Sequence, residues 1–396
     1  METTPHGAGI PELAVVIPTR NRQETAVESI RQAAAVGPAS QVQIVVHDCS
    51  DEPLLSDMLS EAGLRDRVDY FYTSDKISMT ENWNRAMEYV GGEYVTIIGD
   101  DDAVLPDIVT AVRWARENGL DAVKASQYTI FIYPGVGHPL GDALLRVPPF
   151  RGSATVLRTA NVLPLAASTG DRYVDLANIY HGLVRTSVLH RIRERSGMFF
   201  GSISPDIYAA FAIATEVDRF GVVDYPYMIN GNSPNSNAGR YYNGRRYLHF
   251  AEFRRLELHW IVPQSYGLGG TFADSAAWAF SNLGREDLLQ LIDVPRVFAR
   301  TVFFEPRMAA AHVRRFMHVC RRLNRNLAVE LTKLFGMIAA KTLIVALRKL
   351  RGVPREQRDL FSPVESLAAA VDVQRRWLAE HPIAFAAASQ PDRKAS

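Results

Sequence analysis

Residues 94–106 read YVTIIGDDDAVLP: an uncharged run rich in β-branched side chains, a glycine, three consecutive aspartates and a proline. Tyr94 to Ile98 suits a buried parallel strand, and Asp100, Asp101 and Asp102 follow at its carboxyl end. The same grammar recurs toward the N-terminus. Leu13 to Ile17 is a short apolar run ending at Pro18 and opening into Thr19, Arg20, Asn21 and Arg22. From Glu24 to Val36, Ala26, Val27, Ile30, Ala33 and Ala34 recur at helical spacing, with Gly37-Pro38 as the stop. Val42 to Val46 predicts a second strand, His47 to Pro53 a polar loop, and Leu54 to Leu64 a helix. A third strand near Val68 to Tyr72 leads to a helix from about Thr80 to Tyr89, and Gly91-Gly92 turns the chain into the Tyr94 strand.

This alternation predicts an α/β fold, a Rossmann-like parallel sheet covered by helices. Ligands of such sheets gather beyond the carboxyl ends of the strands. Thr19 to Arg22, Asp48 with Ser50, and the three aspartates should therefore converge on one crevice. Magnesium and manganese prefer oxygen ligands and take one or two protein carboxylates, which the aspartates can supply. A solvated turn is the alternative reading of DDD, weakened by its place between a buried strand and Pro106.

At 396 residues the chain is long for one core, so a main domain with an appendage is expected. Its 47% apolar and 22% charged residues exclude a disordered or fibrous protein. A formal charge of +1 argues against a surface built for nucleic acid. Cys49 and Cys320 lie too far apart for a disulfide framework or a zinc spacing and read as reduced thiols. Met1 to Pro11 lacks the pattern of a secretory signal, and no uncharged apolar run reaches the roughly 20 residues that span a bilayer. A cytoplasmic protein with a disordered start over residues 1–11 is the expectation.

From Ala122 to Asp224 strand-like runs such as Tyr128 to Tyr133 mix with helical ones such as Asp206 to Ala214, and this stretch is assigned to the acceptor side. Asn230 to Arg246, rich in Asn, Gly, Ser and Arg, reads as a mobile junction. Beyond it the pattern turns helical. Phe316, Val319, Leu323, Leu327, Leu331, Leu334 and Ile338 form an apolar stripe. Between Arg307 and Arg351, Arg314, Arg315, Arg321, Arg322, Arg325, Lys333 and Lys341 stand against the single acid Glu330. Such a helix could lie on an anionic membrane surface, or pack its stripe on the main domain and leave its basic face solvated.

Four stretches in order, LAVVIPTRNR (13–22), QIVVHDCSDEP (43–53), SMTENWNRAMEYVGGEYVTIIGDDDAVLPD (78–107) and SPDIYAAFAIA (204–214), resemble the family 2 glycosyltransferases of the GT-A fold. The resemblance implies a catalytic domain over residues 12–235, with a nucleotide-sugar half (12–120) and an acceptor half (121–235), followed by a mainly helical region (236–396) carrying the basic amphipathic helices. It implies Mn2+ or Mg2+, a nucleotide diphosphate sugar donor (uridine diphosphate being the commonest), and a glycan, lipid-linked or small-molecule acceptor. Cell-surface polysaccharide or glycoconjugate synthesis would be the setting. Pro18 and Thr19 would lie beside the base with Arg22 in the same loop, and Asp48 would accept a hydrogen bond from the base. Counting back from Pro106 puts Gly99 where the family's first aspartate often stands, Asp100 at the ribose, Asp101 on the metal, and Asp102 as an auxiliary carboxylate on the metal or behind it. Asn82 and Asn84 would face the nucleotide, or merely cap a helix. Asp206 resembles the family's catalytic aspartate, the base that takes the acceptor proton in an inverting reaction, although an acid there can equally serve as a helix cap.

Two further residue choices rest on chemistry alone. Arg240, Arg245 and Arg246 could fold over the diphosphate and exclude water, or remain solvated. His181 could face the acceptor or assist the metal, or be structural. A nucleotidyltransferase would carry a Gly-rich loop after the first strand, where this chain has PTRNR. A sugar-nucleotide-binding or scaffold protein of the same fold that has lost turnover is the competing class.

Overall fold

The computed structural model describes residues 9–242, 257–265, 268–351, 359–385 and 389–390. Strand β1 (Leu13–Thr19) is buried along its whole length between parallel β2 (Val42–Asp48) and β4 (Tyr94–Ile97). Both faces of these strands are covered, so they read as continuous apolar runs. Helix α1 (Gln23–Ala34) buries Ala26, Val27, Ile30 and Ala33. Helix α2 (Leu54–Glu61), β3 (Asp69–Tyr72) and α3 (Met79–Met87) complete the first half, close to their expected limits. After β5 (Ala103–Val104) and α4 (Asp107–Glu117), the chain adds β6 (Ala122–Ala125), β7 (Thr129–Ile132), β8 (Leu144–Val147) and β9 (Ala154–Arg158). Then follow α5 (Thr159–Thr169), β10 (Gly182–Arg185), α6 (Thr186–Ser196), α7 (Pro205–Glu216), β11 (Arg219–Val223), β12 (Met228–Asn232) and α8 (Asn237–Tyr242).

The C-terminal region holds α9 (Leu268–Asn282), α10 (Val294–Phe304), α11 (Ala309–Arg322), α12 (Leu327–Arg351), β13 (Asp359–Phe361), α13 (Leu367–Glu380) and β14 (Ser389–Gln390). Nine strands form one sheet in the order β14-β9-β11-β6-β10-β4-β1-β2-β3, and five form a second, β13-β8-β7-β12-β5. The expected all-parallel sheet is mixed, because β10 runs antiparallel to both β4 and β6. Four residues, Gly182 to Arg185, are too short a run to carry a signal of direction, which the connections set instead.

Two features of the second half depart from the sequence reading. Asn230 to Asn232, assigned to a mobile junction, lie in β12, which pairs with β7 in parallel and with β5 in antiparallel sense. Residues 237–242 are helical, and 243–246 lie outside the described residues, as do residues 1–8 of the expected disordered start. The helical region is also no free appendage. Phe298, Phe316, Val319 and Leu334 share one core with Val16, Ile97 and Phe211 of the main domain. β13 and β14 extend the two sheets. The single stripe of residues 316–338 is divided between α11 and α12 by a turn in which Asn324 takes a left-handed φ of 52°. Its members are buried or packed against that core, and Arg314, Arg321, Arg322 and Lys333 stay exposed. Among the described residues no helix is long and apolar enough to cross a membrane.

Candidate functional site

Beyond the carboxyl ends of β1 and β4 lies a cleft of about 530 Å³. Pro18, Thr19, Arg22, Asn82, Asp101, Asp206 and Arg240 all line it, although they lie far apart in the chain. The three adjacent aspartates diverge. Asp100 is fully buried, accepts the Thr19 hydroxyl (2.5 Å) and pairs with Arg22 (2.8 Å). Burial pushes its carboxyl up to about 7 against the pull of Arg22.

Asp101 faces the cleft, with Oδ2 accepting the Ser233 amide (2.9 Å) and Oδ1 3.7 Å from Arg22. Burial raises its pKa, Arg22 opposes, and Asp102 raises it further. Asp102 is turned inward and saturated. Its Oδ2 meets His181 Nε2 (2.6 Å), the Tyr180 hydroxyl (3.0 Å) and the Gly99 amide (2.6 Å), and Oδ1 accepts the Gly231 amide (2.7 Å). Burial pushes its carboxyl up, but His181 and these amides outweigh it and hold its pKa low.

Two glycines make this packing fit. A Cβ on Gly99 would approach Asp101 Oδ1 to 2.9 Å and Asp102 Oδ2 to 3.0 Å, which accounts for glycine at the position expected for a first aspartate. A Cβ on Gly231 would lie 1.7 Å from the Asp101 carbonyl oxygen. β12 is asparagine-rich because it borders the cleft with Asn230 and Asn232, and not because it is a loop.

Several anticipated contacts go elsewhere. Asp48 has no exposed surface, and its oxygens are taken by the Ser50 amide (2.8 Å) and the Tyr70 hydroxyl (2.9 Å). Asn84 caps nothing and is outside the cleft lining. Its Oδ1 accepts the amides of Phe199 (2.9 Å) and Phe200 (3.1 Å), and its Nδ2 donates to the carbonyls of Thr80 and Phe200. The cap of α3 is Ser78, which accepts from the Glu81 amide. Asn82 does line the cleft, donating to the Thr19 carbonyl (3.2 Å) and meeting His47 Nδ1 (2.5 Å). His181 is buried between Asp102 and Asn230, whereas its neighbour Tyr180 reaches the cleft. Arg245 and Arg246 lie outside the described residues.

Asp206 stands in the first turn of α7, at the cleft. Burial raises its pKa, opposed by the amides of Ile207 and Asp206, by His181 and by the Tyr173 hydroxyl. The N-cap of α7 is Ser204; Asp206 lies two residues further on, inside the first turn, and lines the cleft. Tyr180, Trp83 and Asn230, which sequence reasoning missed, complete the walls. The Trp83 and Tyr180 rings lie 5.6 Å apart. Their signal was adjacency to residues that were singled out, Asn82 and His181.

For a cation, the residues present allow a restricted site. Among the described residues no group of three His, Cys, Asp or Glu side chains is arranged to hold a metal. Asp100 is closed off by Thr19 and Arg22, and Asp102 is saturated, which leaves Asp101 as the one of the three adjacent aspartates that lines the cleft. One carboxylate suffices where phosphate oxygens and water supply the other ligands.

Residues 14–169 match the family model described as glycosyl transferase family 2. Among solved structures, TarS 1–349 of S. aureus in complex with UDP-GlcNAc is 14% identical, with a TM-score of 0.52 over 83% of this chain and 89% of that one. The mannosyltransferase PcManGT from Pyrobaculum calidifontis, in complex with GDP-Man and Mn2+, is 16% identical over 83% of this chain and 87% of that one, with a TM-score of 0.39. No curated protein matches the sequence. The TarS likeness is one of fold. The family model matches residues 14–169, which build the Asp101 side of the cleft and not the Asp206 side, and the fold of the chain is that of the GT-A glycosyltransferases.

Proposed function

We propose that the chain transfers a sugar from a nucleoside diphosphate to an acceptor hydroxyl with inversion at the anomeric carbon. The observation that carries this reading is the presence of Asp101 and Asp206, 105 positions apart in sequence, on the walls of the same cleft. Asp206 takes the proton of the acceptor hydroxyl as that oxygen attacks the anomeric carbon. The bond to the diphosphate breaks, and the electron pair leaves with the phosphate oxygen. The raised pKa of Asp206 suits a base that must hold the proton it removes. A bound Mn2+ or Mg2+, held by Asp101 and by the donor's own phosphates, would offset the charge gained by the leaving diphosphate. Arg240 and Arg22 add positive charge along the same wall. Thr19, Pro18 and Asn82 line the part assigned to the nucleoside, with uridine diphosphate as the first donor to test. Asp102 is assigned to holding the aspartate turn through His181 and Tyr180, in place of a metal-binding role.

The acceptor is assigned to a cell-surface glycan, lipid-linked or small-molecule intermediate on the cytoplasmic side. Peripheral contact with an anionic membrane would use the exposed Leu343 and Ile344 with the cations of α11 and α12.

The deciding experiment is a thermal-shift panel of uridine, thymidine and guanosine diphosphates with and without Mn2+, followed by release of nucleotide from the matching sugar donors. One nucleotide should stabilise the wild type in a Mn2+-dependent way, and Asp101→Ala should remove that dependence. Asp206→Asn should keep the shift and lose turnover. Full turnover in Asp206→Asn would overturn the base assignment, and nucleotide binding without turnover in the wild type would establish the non-catalytic binder.

A further inference from the structure

The loop of residues 199–204 that delivers Asp206 is gripped from both sides. On one side α3 holds it: Asn84 binds Phe199 and Phe200, and the Thr80 hydroxyl donates to the Ser202 carbonyl (2.8 Å). On the other side stands Asp274 of α9, 1% exposed. One of its carboxylate oxygens accepts the Ser202 hydroxyl (2.9 Å), and the other accepts the amide of His259 (2.7 Å). Ser202 takes a left-handed φ of 61°, and its hydroxyl also lies 3.0 Å from that of Ser275. A carboxylate buried without a cation is costly. Among the described residues no ion pair to Asp274 is present, and burial pushes its carboxyl up to about 6 against its two hydrogen bonds. The catalytic mechanism gives this group no part, yet it joins three segments: α9, the stretch of residues 257–265, and the approach to Asp206.

We infer that Asp274 is a positioning residue for Asp206, acting through the Ser202 hydroxyl so that the helical C-terminal region sets where the base stands in the cleft. This rests on Asp206 being the base. Ser202 holds the loop in a conformation that side chains other than glycine seldom adopt. The bond to Asp274 fixes the loop four residues before the carboxylate, and Pro205 then starts α7. A shift of about 1 Å in a reacting group can cost on the order of 100-fold in rate.

The test compares Ser202→Gly, Ser202→Ala, Asp274→Ala and Asp274→Asn in the full chain. One readout is nucleoside diphosphate release from the sugar donor that the wild type uses. The other is hydrogen exchange of residues 199–210. Glycine accepts the left-handed backbone and removes the whole side chain, whereas Ser202→Ala keeps Cβ and removes only the hydroxyl, so a loss shared by both reports the hydroxyl's contacts with Asp274 and Ser275. The expected result is a kcat lower by roughly 10- to 100-fold with donor KM within about twofold, together with faster exchange at Ile207 and Tyr208. Asp274→Asn, which keeps an acceptor for His259 and an amide that the Ser202 hydroxyl can accept, should recover most of the rate lost in Asp274→Ala. Wild-type kcat in Ser202→Gly with a loss in Ser202→Ala would overturn the inference, because backbone conformation alone would then position the loop. Unchanged exchange in Asp274→Ala would overturn it too, whether or not a donor is turned over. Loss of protection in these variants with full turnover in Asp206→Asn would strike the base assignment and leave the clamp standing, so the two failures are distinguishable.

Discussion

The turn of residues 99–102 and the loop of residues 199–206 each bring one carboxylate to the same cleft, by opposite means. The first packs three acids into consecutive positions. Asp101 is fixed because its neighbours are, Asp100 by Thr19 and Arg22 and Asp102 by His181, Tyr180 and two amides. The second sets a single acid on a helix start behind apolar Phe199, Phe200 and Ile203, and side chains from α3 and α9 grip the loop. The first arrangement gathers carboxylates, which attract a cation and repel a bare diphosphate. The second accumulates desolvation, which favours a carboxylate ready to accept a proton. On the proposed roles of Asp101 and Asp206, binding and proton transfer are held by separate supports and should fail separately.

The most direct way to break this division is Asp206→Asn. Turnover should fall by about 10²- to 10⁴-fold, with nucleotide-induced stabilisation unchanged; a parallel loss of both would show that the supports are not separate. Asp102→Ala should act on the other side. It leaves His181, Tyr180 and the amides of Gly99 and Gly231 without their acceptor, and a loss of about 3 kcal/mol or more in denaturant unfolding is expected. Nucleotide binding should weaken with it. Asn84→Ala removes the grip on Phe199 and Phe200, so a loss of about 1–3 kcal/mol is expected. It should slow turnover more than it weakens nucleotide binding.

The smallest effect lies in the pH dependence of stability. The pKa of Asp206 is raised in the folded chain, so ionising it costs folding free energy; that cost is absent below the unfolded carboxylate pKa and complete above the folded one. Asp206→Asn should melt above the wild type at neutral pH, and the gap should close as the pH falls. For Asp102 the pKa is lowered and the sign reverses. Its contribution is present above the unfolded value and is lost as the pH falls through the folded one. Melting curves of both variants across the acid range check the contrast.

The first of these regions was legible in the sequence and the second only in part, for a physical reason. Parallel strands buried on both faces announce themselves as apolar runs with polar ends, so β1, β2 and β4 and the acids after them could be placed within a residue or two. Short strands such as β5 and β13 carry too few residues for a period, and β12 was masked by the asparagines it turns toward the cleft. Side-chain roles were harder still. Asp48, Asn84 and His181 have the right chemistry for a ligand, but their polar atoms go to Tyr70, the 199–200 amides and Asp102, partners that no local pattern reveals. Ser202 and Asp274 gave no signal at all, since each matters through the other.

Strands β13 and β14 lie on β8 and β9, which precede them by more than half the length of the chain. Translation runs from the N-terminus, so β8 and β9 emerge long before the strands that will cover them. While the intervening residues are made, those edges present unpaired amides and carbonyls, open to any other extended chain. Completion of the two sheets therefore waits on β13 and β14, and the nascent protein is exposed to strand-mediated aggregation at those edges until these strands arrive.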